Sequence, residues 1–203
     1  MPHLEVETKF ELNQRDFECL KALGRVAHRE HQLNVYYDAQ WTLANVSATL
    51  RIRFNDGADP VLSLKIPVSR HGAQRVMQEI EVTLPKHSQS RLKSQHPMCI
   101  DVEHELPEQF GEYLLCLGVS RVERVGWVRN TRLVLEIEDH GQIELDTLEL
   151  PDGSVVHEVE IESANDSVHE HLAQLVCQHA PQAMPSTVSK FQRFRRIAEM
   201  GQE

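Results

Sequence analysis

Apolar residues along this chain recur with a period of two more often than with a helical period. In residues 4–12, Leu4, Val6, Thr8, Phe10 and Leu12 take one set of alternate positions, and Glu5, Glu7, Lys9 and Glu11 take the other. Successive side chains of a β-strand point to opposite faces, so the segment predicts a strand with one apolar and one charged face. The pattern returns in residues 49–54, where Leu50, Ile52 and Phe54 alternate with Arg51 and Arg53. In residues 61–66, Leu62, Leu64 and Ile66 stand against Ser63 and Lys65; in residues 78–83, Ile80 and Val82 stand against Glu79 and Glu81. Residues 132–138, 142–148 and 156–163 continue it, the last with Glu158, Glu160 and Glu162 on one face. Turn signals separate the runs: Asn55-Asp56-Gly57, His140-Gly141 and Pro151-Asp152-Gly153.

Helices are predicted between the strands. Asn13 is placed to cap a helix in which Phe17, Leu20 and Leu23 form the apolar face and Gly24 the stop. Ser167 and Glu170 have the spacing of a capping box for a helix reaching about Gln178. Residues 86–125 read as a Pro-broken helical insertion with Phe110, Tyr113, Leu114 and Leu117 inward, and residues 34–46 as a loop. Pro181 and Pro185 mark a further loop before a basic helix over residues 189–200. No repeat or low-complexity stretch divides the chain, so residues 1–203 read as one domain.

The chain carries 21 Lys+Arg against 31 Asp+Glu, a net charge of −10. That disfavours broad contact with a nucleic-acid backbone or an anionic membrane, although not a small basic pocket. The scattered cysteines (Cys19, Cys99, Cys116, Cys177) form no Cys-x-x-Cys pair, as in a reduced cytoplasmic protein. No stretch approaches a membrane span and the N-terminus has no apolar leader, which makes the cytoplasm the expected compartment.

The charged faces are unusual for strands that merely face water. Charges come as same-sign pairs on one face, Glu5/Glu7, Arg51/Arg53, Glu79/Glu81 and Glu158/Glu160, and such neighbours repel. They are also sorted along the chain, with the bases in the middle and carboxylates at both ends. Glu5-Val6-Glu7-Thr8-Lys9 resembles the N-terminal signature of the CYTH superfamily, the triphosphate tunnel metalloenzymes. The resemblance continues in order through Tyr36-Tyr37-Asp38, Arg51-Ile52-Arg53, Lys65, Glu79-Ile80-Glu81, Arg129, Asp146, Glu158-Val159-Glu160 and Lys190. Arg124 and Arg132 lie close enough to Arg129 to take its place.

The resemblance implies an α+β fold: a closed antiparallel eight-stranded β-barrel with a charged lumen, the tunnel, and helices over its apolar outside. It implies a metal-dependent phosphohydrolase acting on a triphosphate, first of all an inorganic triphosphatase, with a class IV adenylate cyclase or thiamine triphosphatase as the alternatives within the fold and a non-catalytic polyphosphate or nucleotide binder outside it. Glu5, Glu7, Asp146, Glu158 and Glu160 are then the expected ligands of Mg²⁺ or Mn²⁺, hard cations that prefer oxygen. Lys9, Arg51, Arg53, Lys65, Arg129 and Lys190 are expected to hold the phosphate chain of a small triphosphate such as tripolyphosphate, ATP or thiamine triphosphate, through charge-assisted hydrogen bonds. Glu79 and Glu81 either complete the metal site or orient the attacking water, and with Lys65 they are the catalytic candidates. Neither a nucleic acid nor a membrane is expected as a partner.

Other features read as structural. The pairs His28/His31 and His169/His171 lack a further ligand at metal spacing and read as surface histidines. Trp41 and Trp127 read as core, and Arg193, Arg195 and Arg196 as a solvated or salt-bridged helix face.

Overall fold

A computed structural model describes residues 3–71, 74–84, 98–138, 140–163 and 165–200. Ten strands are present among them: β1 (His3–Leu12), β2 (Arg25–Asp38), β3 (Thr49–Asn55), β4 (Val61–His71), β5 (Gln74–Thr83), β6 (Cys99–Asp101), β7 (Arg121–Ile137), β8 (Gly141–Glu149), β9 (Val155–Glu162) and β10 (Met184–Pro185). The helices among the described residues are α1 (Gln14–Lys21), α2 (Thr42–Asn45), α3 (Val102–Glu105), α4 (Glu108–Cys116), α5 (Asp166–His179) and α6 (Lys190–Met200). Eight strands close into an antiparallel barrel in the order β1-β5-β4-β3-β2-β7-β8-β9, and the β1–β9 pairing, with Lys9 opposite Glu160, seals it. Closure leaves each of these strands with two hydrogen-bonded neighbours and so removes the exposed edges of an open sheet. The short β6 and β10 attach to β7 and β1.

The apolar faces point outward and are covered by helices. Val35, Leu50, Ile52, Leu62, Leu64 and Ile80 form one outer cluster with Val102 of α3 and with Phe110 and Leu114 of α4. Leu133, Leu135, Ile143, Leu145, Val159 and Ile161 form a second, under Phe17 and Leu20 of α1 and Leu172 and Val176 of α5. Fully burying an aliphatic or aromatic side chain of this size stabilises by about 1.5–3 kcal/mol, so these two faces hold the sheet in its curve. In the third cluster, Tyr36, Val128 and Leu148 meet Phe191 and Phe194 of α6, which plugs one end of the barrel. The Tyr36 and Phe191 rings stack at 4.9 Å between centroids. Gly126 makes this closure possible, because a Cβ there would lie 2.1 Å from the Phe194 ring.

Several expected boundaries shift. Asn13 caps α1, accepting from the Asp16 N–H, but the cap of α5 is Asn165, which accepts from Ser167 and Val168. Residues 34–38, expected in a loop, complete the 14-residue β2, and the short α2 follows. Asp38, wholly buried, organises that turn by accepting the N–H groups of Ala39, Leu43 and Ala44. Of the expected insertion, residues 86–97 lie outside the described residues. The rest holds α3 and α4 together with β6 and the start of β7. Trp41 and Trp127 pack against the clusters as partly buried residues. His169, expected at the surface, is buried and hydrogen-bonds Thr8 at 2.7 Å.

Candidate active site

Because the apolar alternates face outward, the charged alternates of the eight strands have only the lumen to occupy. They line a cavity of about 290 Å³ whose wall carries eight carboxylates and seven lysine or arginine side chains among the described residues. Asp146 and Glu158, both fully buried, stand beside it. Burying this many charges is tolerable only if they compensate one another, since an unpaired buried charge costs several kcal/mol.

Near the α6 plug the cations meet their carboxylates directly. Lys190, the first residue of α6, reaches Asp146, Glu158 and Glu160 at 2.9, 2.8 and 2.7 Å. Lys9 on β1 lies 2.5 Å from Glu160 and 3.5 Å from Glu158. Arg132 on β7 grips Asp146 with two N–H groups at 2.8 and 2.7 Å, holds Glu160 at 2.5 Å and pairs with Glu144. Asn130 donates to Asp146 as well, at 2.9 Å. Burial would raise both carboxyls, but Arg132 and Lys190 keep Asp146 below its ordinary range, and Lys190, Lys9 and Arg132 keep Glu160 well below it.

The wall of β3, β4 and β5 holds a second group. Glu79 accepts from the Ser63 hydroxyl at 2.6 Å and lies 3.4 Å from Lys65 and 3.5 Å from Arg51. Against its burial, these partners hold it at about 2. Glu81, two residues on and facing the same lumen, is pushed up by burial and by Glu79. The Nε groups of Arg51 and Arg53 are buried and find no hydrogen-bond acceptor among the described residues. Buried donors of this kind are costly to leave unmade, and both arginines line the lumen.

Carboxylates in excess of cations run along β1, β8 and β9. Three overlapping triads each bring one carboxylate oxygen per residue within 4.8 Å of the others: Glu5–Glu7–Glu162, Glu144–Glu160–Glu162 and Asp146–Glu158–Glu160. The five expected metal ligands therefore do not gather at one point. Glu5 and Glu7 belong to the first triad, whereas Asp146, Glu158 and Glu160 form the last, where Lys9, Lys190 and Arg132 already meet their charge. The first two triads are less satisfied. Burial pushes Glu5 up to about 8 against the pull of Lys65, with Glu162, Glu79 and Glu7 adding to the rise. Burial also raises Glu144 to about 7 and, with Glu144 and Glu160, raises Glu162. Burial would raise Glu7 as well, but Lys9, Lys65 and Arg75 hold it below its ordinary range. Carboxylate oxygens gathered this closely make an all-oxygen donor set that fits a hard divalent cation.

Of the eight other predicted site residues, seven line the lumen: Lys9, Arg51, Arg53, Lys65, Glu79, Glu81 and Lys190. The exception is Arg129. It lies on the outer face of β7, exposed, with its guanidinium 4.7 Å from the centre of the Trp127 ring. Val128, Asn130 and Arg132 take the buried, inward positions on that strand, so the tunnel arginine is Arg132. Arg75, Glu144 and Glu162 line the lumen too, with no role predicted for them. Strand parity alone points to each, since every one sits an even number of residues from a predicted lumen residue of its own strand. Among the described residues, no helix is long and apolar enough to cross a membrane.

The same barrel occurs in solved structures. A proposed adenylyl cyclase from Hippeastrum, described as having a dominant triphosphatase activity, is 25% identical with a TM-score of 0.77, each chain covered to 95%. A proposed adenylate cyclase from Bacillus halodurans is 22% identical with a TM-score of 0.72, over 95% of this chain and 98% of that one. The triphosphatase of the Mimivirus capping enzyme shares the fold more distantly, at 12% identity and a TM-score of 0.51, over 86% and 89% of the two chains. No curated protein sequence matches the chain. Residues 3–195, from the first lumen strand through the helix that plugs it, match the CYTH domain, and the protein belongs to that family.

Proposed function

We propose that the lumen is the active site of a metal-dependent phosphohydrolase that cleaves the terminal phosphate of a triphosphate, with inorganic tripolyphosphate as the substrate it suits best. The observation that carries this reading is the split between the walls. Buried arginine donors without acceptors face the lumen from β3, and carboxylates clustered within 4.8 Å of one another face it from β1, β8 and β9. A metal-bound triphosphate offers acceptors to the first wall and a cation to the second.

In this reading Lys9, Arg51, Arg53, Lys65, Arg132 and Lys190 hold the phosphate chain. Glu5 and Glu7, joined by Glu162 and Glu144, hold Mg²⁺ or Mn²⁺, and Glu160 links this group to the inner one. Asp146 and Glu158 keep Lys9, Lys190 and Arg132 extended into the lumen. Glu79 does the same for Lys65 and Arg51, which leaves Glu81 to orient and deprotonate the attacking water. The bound cation would polarise the phosphoryl group and offset charge on its oxygens. The plugged end favours an unsubstituted chain, because Tyr36 and Phe191 are already committed to each other there.

The Hippeastrum relative's activity supports hydrolysis ahead of cyclisation. Cyclisation is the second reading, favoured by the name that both it and the Bacillus relative carry. A panel of tripolyphosphate, ATP and thiamine triphosphate with Mg²⁺ or Mn²⁺, scoring phosphate and cyclic AMP, separates the two. Phosphate from tripolyphosphate, abolished by chelator, is the expected result. Cyclic AMP and pyrophosphate as main products would make the protein a cyclase, and binding without turnover of any substrate would make it a polyphosphate binder.

A further inference from the structure

Arg75 enters none of the roles above, yet it faces the lumen from β5 with only 11% of its side chain exposed. It lies directly across the β1–β5 ladder from Glu7, and its guanidinium is 3.2 Å from the Glu7 carboxylate. Its other terminal nitrogen reaches the Met77 sulfur at 3.5 Å, a weak acceptor. Glu7 belongs to the triad that also contains Glu5 and Glu162. Glu5 in turn carries Lys65 at 2.5 Å. Two of the three carboxylates in this triad are thus each engaged by a cationic side chain of the protein itself.

We infer that Arg75 is an exchangeable counterion of the metal site: it neutralises Glu7 in the empty tunnel, gives Glu7 up to a divalent cation, and then turns its freed guanidinium to the phosphate next to that cation. The inference rests on the metal site of the proposed function throughout, and on its triphosphate substrate for the second half only. Three features favour exchange over a permanent bridge. The pair makes a single 3.2 Å contact rather than the bidentate fork that Arg132 makes on Asp146. Apart from Glu7, the side-chain partner seen for the Arg75 guanidinium is the Met77 sulfur, too weak an acceptor to fix it in place. A cation and an arginine bound to one carboxylate also repel each other, so binding of one weakens the other by the same factor. Arg75 is in this sense a positioning residue that raises the cost of metal binding without phosphate and lowers the cost of binding the two together.

The test measures binding of Mn²⁺ alone to metal-stripped protein by calorimetry, in wild type, Arg75→Ala and Arg75→Lys, followed by tripolyphosphate titrations with Mn²⁺ saturating. Removing the competitor should tighten Mn²⁺ binding about tenfold in Arg75→Ala, and Arg75→Lys, which keeps the charge, should stay near wild type. With Mn²⁺ present, tripolyphosphate should bind about tenfold more weakly to Arg75→Ala than to wild type. Unchanged or weaker Mn²⁺ binding in Arg75→Ala would overturn the inference. Should that variant fold poorly, as read by its thermal melt, Arg75→Gln serves in its place with the same expectation. A wild type that binds Mn²⁺ but never hydrolyses a triphosphate would defeat the proposed function and leave the Mn²⁺ comparison intact.

Discussion

Two arginines three residues apart on β7 should respond very differently to truncation. Arg132 is buried and engages three carboxylates, Asp146, Glu160 and Glu144. Arg129 is exposed and stacks on Trp127. Arg132→Ala leaves a buried network short of one cation, and breaking a buried pair by removing one partner costs about 3–5 kcal/mol. At roughly 2–4 °C per kcal/mol for a domain of this size, the metal-free protein should lose about 6–20 °C in Tm. Arg132→Met restores much of the side-chain volume without the charge, so a loss close to that of alanine would assign the effect to charge rather than packing. Arg129→Ala gives up one exposed cation–π contact, about 0.5–1 kcal/mol, and should shift Tm by no more than a few degrees. The assay is thermal and urea unfolding in chelator, so that no metal replaces the lost cation. An Arg129→Ala loss equal to or larger than that of Arg132→Ala would refute the inward placement of Arg132 and with it the charge accounting of the inner lumen.

Stability of the metal-free protein should fall between pH 5 and 8. Glu5 holds its proton to about 8 when folded and only to 4.5 when unfolded, so the folded state binds more protons across that window and loses stability as pH rises. Glu79, held at about 2, contributes stability already complete above 4.5 and does not alter that slope. Glu5→Gln should reduce the slope of Tm on pH, leaving the part that Glu144, raised to about 7, contributes, and an unchanged slope would show that Glu5 does not titrate there. Arg53→Ala should lower kcat/KM for tripolyphosphate by roughly 100-fold, the scale of losing one preorganised donor where charge develops, with little change in Tm; a melting loss matching the activity loss would make Arg53 structural. Gly126→Ala should lower Tm and expose the lumen at the α6 end, because the added methyl meets the Phe194 ring; limited proteolysis after Lys190 that is no faster than in wild type would contradict the plug.

The strands are legible in the sequence because period-two alternation survives wherever a strand has one face under helices and the other in the lumen; their closure into a barrel is implied only by the family resemblance. The paired carboxylates and bases of β1, β3, β5 and β9 stand out for that reason. The first half of β2 is not legible. Its residues 25–29, Arg-Val-Ala-His-Arg, are all exposed, so neither face selects for apolar residues and no alternation appears. Arg132 is hidden by proximity rather than by pattern. Leu133, Leu135 and Ile137 point outward, which puts Arg132 inward and Arg129, of the same parity as Leu133, outward. Grouping of the carboxylates into separate triads depends on shear between β1, β8 and β9 and on the length of each side chain, neither of which a linear pattern encodes. The Arg75–Glu7 pair is of the same kind, since it follows from the register of β1 on β5.

That the clustered carboxylates of Glu5, Glu7 and Glu162 and the unpaired donors of Arg51 and Arg53 serve one ligand assembly is tested most directly by anomalous diffraction from crystals grown with Mn²⁺ and a non-hydrolysable triphosphate. The expected result is a manganese peak with carboxylate oxygens of Glu5, Glu7 and Glu162 as ligands, and phosphate oxygens accepting from Arg51 Nε and Arg53 Nε. Manganese bound only outside the lumen, or a triphosphate seated on the outer face beside Arg129 and Trp127, would contradict it.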